Sequence, residues 1–291
     1  SGAANGAIRL SRQTYITRRI DVGVRGRAMA MIGGSMRISL FIGPLIGGIL
    51  VDLVGYTATF AIAGVLTATG MLPPLLVPDH IPLLAGREPK RRIGILRAIS
   101  THRRLLAKVG IIPMLVMTVR EGRLVVIPLI GDDLGLSSSA VGAVVTVGTA
   151  ADLMLFPVAG WVMDRFGRLA AMIPAFGLIA CGLVALGMAN GTPLVVAAGA
   201  IIGIGNGLCS GTMLTLGSDV APPEAPGQFL AGLATMQEGG RVAGPLLVGA
   251  MGAAYGLGAA AYALALVLVV AIVWLVLIVG ETGRQRVDIV G

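Results

Sequence analysis

The stretch GGSMRISLFIGPLIGG, from Gly33 to Gly48, sets glycines at 33, 34, 43, 47 and 48 and a proline at 44 inside an apolar run that also holds Arg37. A helix that had only to be greasy would not need this pattern. Each glycine removes a side chain and lets a neighbouring backbone approach, while Pro44 deprives the carbonyl one turn earlier of its helical partner and bends the helix. The run reads as a kinked helix built for close packing.

Composition identifies the medium around it. Of 291 residues, 56% are hydrophobic and only 12% charged, with a mean hydropathy of +0.91. That is too apolar for the surface of a water-soluble domain, so the chain is expected to be a multi-span membrane protein with the lipid bilayer as its partner. The 44 glycines and 4% aromatic residues suit helices packing through small side chains, whereas barrel strands would alternate polar and apolar. Cys181 and Cys209 lie in apolar runs without metal-ligand spacing, and the two histidines, His80 and His102, sit together in one polar segment. No enzyme activity, cofactor or metal is expected.

Stretches of the ~20 residues needed to cross a ~30 Å hydrocarbon core fall near 28–51, 57–77, 106–130, 138–163, 169–190, 194–217, 228–252 and 256–280. Residues 1–16 read as a further span cut short, running apolar into Arg9, Arg12, Arg18 and Arg19. An internal repeat accompanies this pattern. Gly43-Pro44 recurs as Gly244-Pro245, and the same shift of 201 residues aligns Gly2 with Gly203, Asn5 with Asn206, Gly6 with Gly207, Gly26 with Gly227, Gly48 with Gly249 and Gly55 with Gly256.

The residues Gly33, Gly34, Gly43, Pro44, Gly47 and Gly48 resemble the fifth-helix signature of major facilitator superfamily transporters of the drug:proton antiporter branch. In that signature a Gly-Pro-x-x-Gly-Gly ends a glycine-spaced helix. A second stretch, Gly160-Trp-Val-Met-Asp164-Arg165-Phe-Gly167-Arg168, resembles the superfamily's Gly-x-x-x-Asp-Arg-x-Gly-Arg loop. The resemblance implies an all-α membrane fold of two parallel six-helix halves. Residues 28–77 would be spans five and six and 106–280 spans seven to twelve, with spans one to three and part of span four lying before Ser1. The implied domains are 1–78, the remainder of the N-terminal half; 79–105, a cytoplasmic linker; and 106–291, the C-terminal half. A loop turn with ordinary basic residues is the plainer reading of Asp164, Arg165, Gly167 and Arg168; the resemblance would place Asp164 near the start of span five and Arg25 or Arg27.

Basic residues set the orientation. Arg18, Arg19, Arg25 and Arg27 precede span five, eight further Lys and Arg lie between Arg87 and Lys108, Arg165 and Arg168 follow span eight, and Arg284 and Arg286 follow span twelve. The alternate connections, around Asp52, Asp132 with Asp133, Asn190 and Ala254, hold no Lys or Arg. The basic side and the C-terminus are therefore expected to be cytoplasmic. The net charge of +8 is a topology signal, and no nucleic acid partner is expected.

Ionisable residues inside spans are costly unless paired or facing water. They are Arg37 in span five, Arg120, Glu121 and Arg123 in span seven, Asp152 in span eight, and Glu238 and Arg241 in span eleven. Arg37 lies nine residues from the inner end of its span and Asp152 eleven, roughly 14 and 16 Å deep at 1.5 Å per residue. Since spans five and eight face each other in the superfamily, the two could form a latch between halves; alternatively Arg37 snorkels to the inner surface and Asp152 bonds a neighbouring threonine. Asp152, Glu121 and Glu238 are the candidates for proton coupling, with Arg120, Arg123 and Arg241 as charge partners. A structural salt bridge is the alternative both for Glu238 with Arg241 and for Glu121 with Arg120 or Arg123. The resemblance implies a secondary active transporter of the cell membrane, a monomer, that couples proton entry to efflux of drugs or small metabolites by alternating access. A metabolite importer or facilitator, and a sensor or scaffold that does not transport, stay open.

Overall fold

Gly55 shows how the apolar chain turns back on itself. The computed structural model describes residues 22–70, 72, 103–209, 212–222 and 226–282, with backbone alone at 22–34, 36, 37, 156, 157, 213–215, 218 and 226. Helix α1 (Val22–Gly70) breaks at Gly55, whose φ of 78° and ψ of 169° are not helical. Its two arms are spans five and six. Exactly one repeat later Gly256, with φ 89° and ψ 165°, separates α7 (Pro226–Tyr255) from α8 (Leu257–Trp274). This corner of φ/ψ space belongs almost solely to glycine, so the repeat seen in the letters is also a repeat of backbone shape.

Between these corners lie α2 (Arg103–Asp133), α3 (Ser138–Phe166), α4 (Arg168–Gly187), α5 (Thr192–Cys209) and the short α6 (Thr212–Asp219). They correspond to spans seven, eight and nine, with α5 and α6 sharing the tenth. Every regular element among the described residues is a helix, the last turn of span twelve being a π-helix at Leu275–Val279. Helices are what an apolar medium demands, because each backbone group finds its partner within the segment. Prolines at 44, 113, 128, 174 and 245 lie inside helices, where they bend without ending them.

Helix ends are closed by local chemistry. The chain leaves α2 through Gly135 (φ 72°), with the Leu136 N–H donating to Gly131 O at 2.9 Å. The Ser137 hydroxyl then caps α3 by accepting from the Ala140 N–H at 3.2 Å. Five described segments are long and apolar enough to cross a membrane: 38–70, which contains the Gly55 corner, 138–155, 168–187, 192–209 and 257–279. The long helices α2 and α7 hold Arg120, Glu121, Arg123, Glu238 and Arg241.

The core lies where α2, α4, α5 and α8 meet. Ile112 and Val116 of α2, Met172 and Phe176 of α4, Ile202 of α5 and Leu264 and Leu268 of α8 are buried there. The opposite side of α8 and of the π-turn that follows it exposes Leu266, Val269, Val273 and Leu277. On a soluble protein that face would aggregate; against lipid it costs nothing. Helix α1 joins the bundle through α3. The expected partial span at 1–16 lies outside the described residues, as does the expected linker up to residue 102.

Candidate translocation site

The mid-span charges of α2 and α7 are brought together by small residues. An added Cβ at Gly240 would stand 3.0 Å from Met117 Cβ, and one at Gly244 would stand 2.8 Å from the Gly122 nitrogen. Helices that approach this closely place Arg241 between two carboxylates. Its Nη1 lies 3.2 Å from Glu238 Oε1 and its Nε 3.5 Å from Glu121 Oε1. The second contact is charge proximity without a hydrogen bond, since Arg241 Nε has no acceptor in hydrogen-bonding geometry. Arg241, Glu238 and Glu121 are 40%, 48% and 33% exposed, so these attractions are screened and contribute little to stability.

Asp152 of α3 is held by a residue that the charges alone did not reveal. The Asn206 side-chain amide donates to Asp152 Oδ2, and Asn206 is 1% exposed. A buried amide needs such a partner. Its legible signal is an asparagine in the glycine-rich apolar run of span ten, aligned by the repeat with Asn5. Beside this pair, on α2, Arg123 has Arg120, Asp152 and Glu121 as charged neighbours. Its Nε is out of contact with solvent and meets no acceptor among the described residues. Cys209 of α5 lies by the same group, with its Sγ 3.5 Å from Thr212 Oγ1.

Spans five and eight run antiparallel in contact. An added Cβ at Gly48 would collide with Ser138 O and lie 2.9 Å from Ser139 Cα, and one at Gly142 would strike Pro44 O. Further in, the Thr146 hydroxyl donates to Phe41 O at 3.2 Å. At Gly43 and Gly47 no described atom lies within 4 Å of an added Cβ. Where span five ends and span eight begins, the two are joined by Asp52, whose carboxylate accepts from the Ser138 N–H at 3.1 Å and the Ser139 N–H at 2.9 Å. It thereby satisfies the free N–H groups that begin α3. Gly33, Gly34 and the Arg37 side chain lie outside the residues with described side chains, and so does the latch expected of Arg37 and Asp152.

The opposite end of span eight is tied by a second set. Gly167, with φ 96°, ends α3 and begins α4. The Glu281 carboxylate accepts from the Arg168 N–H at 2.8 Å and the Leu169 N–H at 3.0 Å. Arg168 Nε donates to Asp219 Oδ2 at 2.8 Å, while its Nη1 is 3.8 Å from Asp164, which is 82% exposed. Arg165 rests over the Trp161 and Phe166 rings, at 5.8 and 5.9 Å. The motif thus joins the neighbouring ends of spans eight, nine, ten and twelve. Asp219 and Glu281 have no local sequence signal pointing to this loop. The side chains of Arg25 and Arg27, expected near Asp164, lie outside the described ones, and Gly160 has open space around an added Cβ.

The sequence model of the Major Facilitator Superfamily matches residues 1–119 and again residues 109–288. The chain belongs to the major facilitator superfamily. Its two matched stretches overlap at residues 109–119, within span seven. No curated protein matches the chain. As a superfamily member it is a multi-pass membrane transporter.

Proposed function

We propose that this chain is a proton-coupled secondary transporter that exports drugs or small metabolites from the cell by alternating access. It would lie in the cell membrane as a monomer with its basic connections and C-terminus in the cytoplasm. The observation that carries the reading is the cluster of Asp152, Glu121 and Glu238 with their polar partners on facing helices. A fixed scaffold gains nothing from carboxylates at mid-membrane depth, whereas a transporter uses their protonation. The outward direction rests on the span-five glycine and proline pattern and its resemblance to the antiporter branch.

The latch belongs to the same reading. Since Phe41 stands level with Thr146 and Pro44 with Gly142, Arg37 falls two or three residues from the level of Asp152, roughly 3–4 Å at 1.5 Å per residue. That register supports an Arg37–Asp152 pair, and docking of Asp52 on α3 supports a state shut toward the outside.

Proteoliposomes containing the full-length protein test the proposal. With a pH gradient imposed and a substrate panel supplied, addition of a transported compound is expected to drive protons the opposite way. Substrate movement indifferent to the gradient and to a protonophore would remove proton coupling from the mechanism.

A further inference from the structure

We infer that Arg120 and Arg123 form a binding site for an organic oxyanion, a carboxylate or a phosphate monoester, which is the charged end of the transported substrate. The inference deepens the transporter reading and rests on it.

It starts from how the charges are distributed. Arg241 has two carboxylates beside it, Glu121 and Glu238. Asp152 is engaged by the Asn206 amide. Neither Arg120 nor Arg123 forms an ion pair among the described residues, and the Nε of Arg123 is shielded from solvent with no acceptor there. Three positions apart on α2, the two arginines share one side of the helix and repel each other. A guanidinium withdrawn from water with an unused donor is costly, more so beside a like charge. Asp152 and Glu121 are near enough to moderate that cost, but each is already committed to another partner. An incoming oxyanion removes it, because a guanidinium fork matches two oxygens at once and a second cation strengthens the contact.

The surroundings fit an amphipathic anion. The pair stands where α2 meets α3 and α5, with Cys209 alongside, and α2 is apolar to either side of the charges, from Val109 to Met117 and from Leu124 to Gly131. A small inorganic ion would leave these apolar walls unused, whereas an organic anion covers them with its hydrocarbon part.

The test uses four probes of similar size on the purified full-length protein: benzoate, phenyl phosphate, benzylammonium and benzyl alcohol. Apparent affinity is read from stabilisation against heat. At least one of the two oxyanions is expected to stabilise the protein, the cation and the alcohol far less. Arg123→Gln should weaken that oxyanion by about tenfold or more, as loss of a charge-assisted hydrogen bond implies, and Arg123→Lys should weaken it less. Arg120→Gln should act in the same direction, which keeps the test sharp if the Arg123 variants do not fold. Benzylammonium binding as well as the oxyanions, or oxyanion binding unmoved by the variants, would overturn the site. Oxyanion binding without any proton-coupled transport leaves the site standing and removes the reading on which it bears; proton-coupled transport of a cation does the reverse.

Discussion

Asp52 is a single carboxylate whose role depends wholly on its charge. The Ser139 hydroxyl first, then its backbone N–H, holds the Asp52 carboxyl below the usual carboxylate range. Because its pKa is lowered in the docked state, the stabilisation is fully present above the ordinary value of about 3.9 and is lost as pH falls through the lowered one. The clasp is therefore at full strength at neutral pH and weakens as the carboxylate is protonated in acid. Spin labels at Val51 and Val141 should report one short distance in the native protein at pH 7 and a longer population in Asp52→Ala at the same pH. Identical distances in both proteins would show that Asp52 does not hold the ends together. This residue could be read from the sequence only as part of a connection free of basic groups. Its partners lie 86 and 87 positions along the chain, and no local pattern marks a cap supplied from so far away. Asp219 and Glu281 escaped for the same reason. The mid-span charges were legible because an apolar background makes each one conspicuous.

At the scale of a helix, the glycine pattern of span five was legible as a packing device, but not which glycine makes the contact. Spacing alone treats Gly43, Gly47 and Gly48 alike; only the position of α3 singles out Gly48, whose added Cβ would meet the Ser138 and Ser139 backbone. Backbone cannot swing aside as a long side chain can. Gly48→Leu is therefore expected to destabilise the full-length protein by about 1–3 kcal/mol, measured by thermal unfolding in detergent, and Gly43→Leu by clearly less. Equal losses would place the decisive contact elsewhere. The corner glycines were legible as a repeat, though their shared conformation was not, since glycine has many uses and its φ is not written in the letters. Gly256→Ala, forced to hold φ near 89°, should lose about 1–3 kcal/mol, and Gly55→Ala about as much. If Gly256→Ala unfolds at the native temperature, the corner is able to relax.

At the scale of the whole molecule, the proposed transport cycle needs two halves that rock against each other and a pair of charges that ties their movement to protons. The all-helical fold and its spans were legible because bilayer thickness fixes their length and the repeat fixes their order. The partners of each charge were not, because pairing depends on helix rotation. Arg37 and Asp152 are expected to act as a coupled pair in the full-length transporter. Helices α1 and α3 run antiparallel in contact, and their register brings the two residues to nearly one depth. Removing Asp152 strands a cation where little solvates it. Removing Arg37 lets Asp152 take up a proton more readily and blunts its response to the gradient. Each single change to alanine should therefore impair transport or bias the protein toward one face. The double change removes the stranded charge along with its partner, so it should recover part of the conformational balance while proton coupling stays lost. Accessibility of cysteines introduced on the two sides, measured for both singles and the double, decides the matter: strictly additive effects would mean that the residues never meet, and a charge-swapped protein that rocks normally would show that their attraction, more than either side chain's shape, is what the cycle uses.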